Sequence, residues 1–189
     1  MNFRGISFYL SFFCYPISLL TLINILYSYY FNYFLSISNY FTTFIISLSL
    51  GLFLFFLGKK ADKKINFIEQ LFLVTFVYFI AGFLISIPFY LSNFQFTFVS
   101  AYFESISGLT GTGFSTIKSI KYIDPTLILW RSSSQWIGGL FFLVFLIIFF
   151  SNKIFNYKMI NLAFSGDNNF KSEENIKNNI LQIFIIYSS

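Results

Sequence analysis

The 189-residue sequence has no histidine and one cysteine, Cys14. A zinc site, a Ser-His-Asp triad and a Cys-His dyad all need residues that are missing. No disulfide can form within the chain. An intramembrane serine protease would need a histidine partner, so enzymatic readings are set aside. Charge is also scarce. Charged residues make up 10 % of the sequence, against about 25 % in a typical soluble domain. Seven acids and twelve bases cannot cover a water-facing surface of this size. The net charge of +5 is modest and follows membrane topology, so nucleic acid is not an expected partner.

What fills the chain is apolar: 57 % hydrophobic residues, with a mean hydropathy of +0.73. The charge-free stretches place the membrane crossings. Residues 5–58 carry no charge at all. As one helix they would run about 80 Å, at roughly 1.5 Å per residue. The hydrocarbon core is about 30 Å thick, so two spans and a turn are expected. Clustered tyrosines at 27, 29, 30, 33 and 40 mark the interfacial turn. The first helix is predicted at about 7–30, with Pro16 inside it, and the second at about 40–57. The run after Arg4 is too long for a signal-peptide core, and no small-residue cleavage site follows.

Gly58-Lys59-Lys60-Ala61-Asp62-Lys63-Lys64 reads as a charged loop that sets topology. A third span is expected at about 67–91. Residues 98–109 are apolar except for Glu104. Twelve helical residues reach only about 18 Å, too short to cross, so this piece is predicted to be a re-entrant half-helix. A polar loop over 110–125 leads to a further span from about 127 or 132 to 150. With the N-terminus in the cytoplasm, nine basic residues fall inside and three (Lys118, Lys121 and Arg131) outside, as the positive-inside rule requires. Residues 152–179 read as a cytoplasmic linker. The apolar run from Ile180 reads as the first half of another transmembrane helix, cut off, or as a short amphipathic anchor.

The expected fold class is therefore all-α integral membrane. It divides into an N-terminal two-helix hairpin with its basic loop (1–66), one membrane–pore–membrane repeat (67–151), and a linker with the start of a next helix (152–189). The repeat carries the chemistry. The half-helix ends at Ser107-Gly108, and its C-terminal end holds partial negative charge that attracts a cation. Thr110-Gly111-Thr112-Gly113 follows at once. Glycines allow an extended backbone whose carbonyls can replace the hydration shell of a potassium ion, and the threonine hydroxyls add oxygen ligands.

The segment Phe103-Glu104-Ser105-Ile106-Ser107-Gly108-Leu109-Thr110-Gly111-Thr112-Gly113-Phe114-Ser115 resembles the first pore loop of Trk-type potassium-uptake proteins. Trp130-Arg131-Ser132-Ser133-Ser134-Gln135-Trp136-Ile137-Gly138-Gly139 resembles the start of their first M2 helix, and is the more specific match. Two helices ahead of the pore unit point to the TrkH/TrkG branch. The resemblance implies four such repeats around a potassium path, with this unit giving one quarter of the selectivity filter. Gly113 matches the filter glycine, whereas Gly111 stands where relatives often have threonine. The implied ion ligands are Thr110, Thr112 and Gly113, with Gly111 in the same strand. The substrate is potassium and no cofactor is expected. Implied partners are membrane lipid, the remaining repeats on another chain or in further copies, a second copy in a homodimer, and a cytoplasmic nucleotide-binding TrkA-type subunit. The implied location is the bacterial inner membrane, multi-pass. A truncated or split-gene product without transport activity is the alternative.

Neighbouring residues have plainer readings. Glu104 either stabilises a cation or braces the half-helix from behind, and bracing is preferred. An acid within the membrane is still a functional candidate. Arg131 either pairs with Asp124 or marks the interface. Trp130 and Trp136 suit an aromatic belt. Gly138-Gly139 suits close helix packing.

Overall fold

A computed structural model describes residues 2–61, 65–117 and 123–151. The expected linker and the apolar run from Ile180 lie outside them, as do Lys63, Lys64, Lys118 and Lys121. Five helices follow in order: α1 (Phe3–Tyr30), α2 (Phe34–Gly58), α3 (Phe67–Tyr90), α4 (Phe98–Leu109) and α5 (Pro125–Ser151). The described residues contain no strand. Among them α1, α2 and α3 are long and apolar enough to cross a membrane. The chain is an all-α, multi-pass membrane protein. α5 has 27 residues, about 40 Å as a helix, and covers the stretch where sequence leads one to expect a fourth span.

Each start has a local cause. The Asn2 side chain accepts from the Gly5 N–H at 3.0 Å and caps α1. Pro16 sits inside α1 without ending it. Asn32, with φ of 61°, makes the left-handed turn that reverses the chain. α2 then begins at Phe34, six residues before the expected 40. Ser36, Ser38 and Asn39 read as loop by composition. They sit in helix because their polar atoms find partners there: Ser36 Oγ donates to Asp124, the Asn39 amide to the Leu91 carbonyl, and Thr42 to Ser38 O. Glu69 accepts from the Asn66 N–H at 2.9 Å in the first turn of α3. α5 opens with Pro125, whose missing N–H costs nothing at that position, and the Asp124 carboxylate accepts from the Thr126 N–H at 3.1 Å.

Residues 1–139 form one compact unit; a second, 140–189, begins inside α5. Within the first unit, α1 and α2 form an antiparallel hairpin. Gly51 lets Cys14 Cβ come within 3.2 Å of where its own Cβ would stand. Ser11, Ser18 and Thr21 are buried along α1, and their hydroxyls donate to carbonyls of the same helix at 2.6–2.7 Å. Small, internally satisfied polar residues are what a helix interface in lipid selects, because they let backbones approach. Leu26, Phe53, Phe56, Ile68 and Phe79 point outward and are exposed. A bilayer covers such a surface; water would not.

The contacts also fix the two ends of this unit. Ser36, Leu91 and Asp124 meet at one end. Asn2 meets Glu69 at the other, where Gly58 also lies against Phe8.

Candidate functional site

α4 lies on α3 and α5 through glycines. The Ser105 hydroxyl donates to the Gly82 carbonyl at 2.7 Å, and Ile106 covers the space where a Gly82 side chain would be. A Cβ on Gly138 would run into the Leu109 backbone, its carbonyl carbon only 2.6 Å away. A Cβ on Gly108 would collide with the Ser134 hydroxyl. Close helix packing is thus the role of Gly138, as its place in the sequence suggests.

After Leu109 the chain turns. Thr110 N–H donates to Ile106 O at 2.9 Å and Gly111 N–H to Gly108 O at 3.0 Å. Gly111 and Gly113 have φ of 67° and 76°. A Cβ at either would meet nothing within 4 Å, so the backbone conformation, and not crowding, asks for glycine there. Leu109 lies against Gly138, about two helical turns along α5 from Arg131, whereas the Phe114 carbonyl accepts from Arg131 at 3.1 Å. The loop therefore runs back toward the start of α5.

Thr110 to Gly113 are exposed. Among the described residues, no hydrogen bond is made to the carbonyls of Thr110, Gly111 or Thr112. Their hydroxyls cluster: Thr112 Oγ1 is 3.3 Å from Thr110 Oγ1 and 3.2 Å from Ser107 Oγ. Ser107 also donates to the Phe114 carbonyl at 2.5 Å, closing the loop onto the last turns of α4. The Gly113 carbonyl accepts from Arg131 Nη2 at 3.3 Å and is thereby turned toward that guanidinium.

Glu104 is fully buried and organises the far side of the loop. Its Oε1 accepts from the Ser115 hydroxyl (2.8 Å), the Thr116 N–H (2.5 Å) and the Thr116 hydroxyl (2.9 Å). Its Oε2 accepts from Arg131 Nε at 3.0 Å. These contacts tie Glu104 of α4 to the loop and to Arg131 of α5. The pairing of Arg131 with Asp124 does not occur: Arg131 reaches into the loop, while Asp124 caps α5 and takes the Ser36 hydroxyl at 2.5 Å. The aromatic-belt reading of Trp130 also fails. Trp130 is buried, and its indole N–H donates to the Ile85 carbonyl at 3.0 Å. Ser107, Ser115 and Thr116 are tied into the loop although no spacing rule singled them out.

A family model described as TrkH, cation transport protein, matches residues 36–182. The chain belongs to the TrkH family. Over 133 residues it is 35 % identical to an uncharacterized cation transporter of Methanocaldococcus jannaschii, covering 68 % of this chain and 26 % of that protein. The Trk system potassium uptake protein TrkH of Escherichia coli K12 is 29 % identical over 99 residues, 52 % of this chain and 20 % of that protein. TrkG of the same strain is 26 % identical over 106 residues, 56 % and 22 % respectively. The chain spans about a quarter of the length of these TrkH-family relatives, or less. No solved structure matches.

Proposed function

We propose that this chain takes part in potassium uptake across the inner membrane, with residues 110–113 lining one quarter of a selectivity filter. The observation that carries the reading is the loop after α4. Its carbonyls at Thr110, Gly111 and Thr112 accept no hydrogen bond among the described residues and sit beside a cluster of hydroxyl oxygens. Bare carbonyls in a loop held by protein are suited to replacing the hydration shell of a potassium ion. Membership of a cation-transport family supports the substrate class, and two relatives are named for potassium uptake.

On this reading α4 is a re-entrant half-helix whose C-terminal end faces the ion. Thr110, Gly111 and Thr112 supply ligands. Gly113 supplies the backbone turn, with its carbonyl held by Arg131. Glu104 and Arg131 support the loop and do not touch the ion. Three further repeats complete the path, from further residues, another chain or further copies. A homodimer with a TrkA-type cytoplasmic subunit is part of the same proposal, as is a cytoplasmic N-terminus.

Rubidium uptake in a potassium-uptake-deficient bacterium tests this in the complete assembly. Gly113→Ser strains a left-handed backbone without crowding anything, so protein level holds while discrimination between potassium and sodium falls. Thr110→Ser keeps both carbonyl and hydroxyl and changes little. Gly113 variants that express normally and keep their selectivity would remove this loop from the ion path.

A further inference from the structure

A helix–loop–helix pore unit does not require the α1–α2 hairpin, yet the hairpin is built into it at the loop end. Ser36 of α2 donates to the Asp124 carboxylate at 2.5 Å. Asn39 donates to the Leu91 carbonyl, after α3, at 3.1 Å. The Tyr40 ring lies against Trp130 with centroids 5.6 Å apart, and each residue is 1 % exposed. Trp130 is also held by its bond to Ile85 O of α3. The next residue along is Arg131, which reaches Glu104 and the carbonyls of Gly113 and Phe114.

We propose that Tyr40, assisted by Ser36, is a positioning residue for the filter segment. The N-terminal hairpin fixes the seat of Trp130, and through it the rotational setting of the first turns of α5 and the reach of Arg131. The proposal rests on the reading of 110–113 as an ion path. The geometry makes it sensitive. A rotation of α5 by about 10° displaces a side-chain head on its surface by about 1 Å. Arg131 holds the loop by bonds of 3.0–3.3 Å, and 1 Å more takes them out of range. The ring of Tyr40 is assigned the effect: its buried hydroxyl lies near Thr126 but makes no hydrogen bond of normal geometry among the described residues.

A purely structural Tyr40 would alter how much protein reaches the membrane and leave ion recognition alone. The complete assembly containing this chain is therefore assayed for rubidium KM, sodium inhibition and membrane protein level, with Tyr40→Ala, Tyr40→Phe, Ser36→Ala and Gly113→Ser. Tyr40→Ala is expected to raise the rubidium KM about fivefold or more, the lower range of typical coupling between sites, at unchanged protein level. Tyr40→Phe keeps the ring and restores the native KM. Ser36→Ala shifts KM in the same direction by less. The proposal is overturned, with the filter reading intact, if Gly113→Ser changes ion recognition while Tyr40→Ala changes only protein level or nothing. If Tyr40→Ala yields no folded protein, Ser36→Ala decides, and an unaltered KM overturns the proposal. If Gly113→Ser is also without effect, the filter reading fails and takes this one with it.

Discussion

Glu104 is a carboxylate with no water left to it, and its four donors account for its tolerance. Three of them come from Ser115 and Thr116, so the side chain pins the segment that leaves the glycine-rich turn. The fourth is Arg131, whose planar fork serves Glu104 through Nε and two loop carbonyls through Nη2. Removing Glu104 leaves three Ser115 and Thr116 donors without their acceptor and Arg131, 27 % exposed, without its carboxylate, together a cost of about 3–5 kcal/mol. Glu104→Ala should lower folded stability by that order, read as thermal unfolding of the purified assembly in detergent. Glu104→Gln keeps one oxygen for Ser115 and Thr116 but turns an amide N–H toward Arg131. Its loss should be smaller, about 1–3 kcal/mol. Equal losses for the two variants would mean that the retained acceptor contributes nothing. Arg131→Lys carries a point charge that cannot make both sets of bonds, so it should free the Gly113 and Phe114 carbonyls even where the charge pairing survives.

At the scale of elements, α4 is held by the absence of side chains. Gly138 gives its place to the Leu109 backbone, Gly108 to Ser134, and Gly82 to Ile106. Backbone yields less readily than a flexible side chain, so Gly138 is the least replaceable of the three. Gly138→Ala should destabilise the fold by about 1–3 kcal/mol, the usual penalty of overpacking. Gly111→Ala meets open space and should cost only the left-handed strain of about 1–2 kcal/mol. Thermal unfolding of both variants compares them directly, and a harmless Gly138→Ala would mean that α4 and α5 can separate there freely. Much of this layout was legible in sequence. The charge gaps and the 12-residue length of α4 set the helices, because lipid enforces both apolarity and length. The hairpin turn expected from sequence is too long at its α2 side, since serines and asparagines that look like loop are helical wherever a neighbouring helix satisfies them. At the site, the Thr-Gly run and the place of Glu104 inside α4 could be read from local order. The partner of Arg131 could not. Asp124 is nearer in sequence, yet on α5 Arg131 lies two turns past Asp124, level with the loop returning from α4. The burial of Trp130 was hidden for the same reason: its partners, Tyr40 and Ile85, come from helices distant in sequence.

For the whole molecule, the question is which end of the helices faces the cytoplasm. In the first compact unit, Ser36, Leu91 and Asp124 share one end, so the α1–α2 turn and the start of α5 lie together. The other end holds Asn2, Glu69 and the junction after Gly58, which bring Arg4 and the lysines at 59 and 60 to one side. Basic residues concentrate on the cytoplasmic side. On the proposed topology, with a cytoplasmic N-terminus, the second end would be inside and the glycine-rich loop would enter from outside. Cysteine labelling reads this directly. Cys14 is the sole cysteine and is 2 % exposed, so Cys14→Ser supplies a quiet background, with a hydroxyl in place of the thiol that faces Leu10 O. Phe31, at the α1–α2 turn, is 50 % exposed and has an ordinary negative φ of −94°, which makes it a better reporter than the left-handed Asn32. In intact cells a membrane-impermeant maleimide should label Phe31→Cys. Lys60→Cys should react only after permeabilisation. The reverse pattern would invert the topology and put the loop on the cytoplasmic side, where it could not receive ions for uptake. Labelling of both positions in intact cells would mean that α2 does not cross the membrane, and the hairpin would then have to lie on its surface.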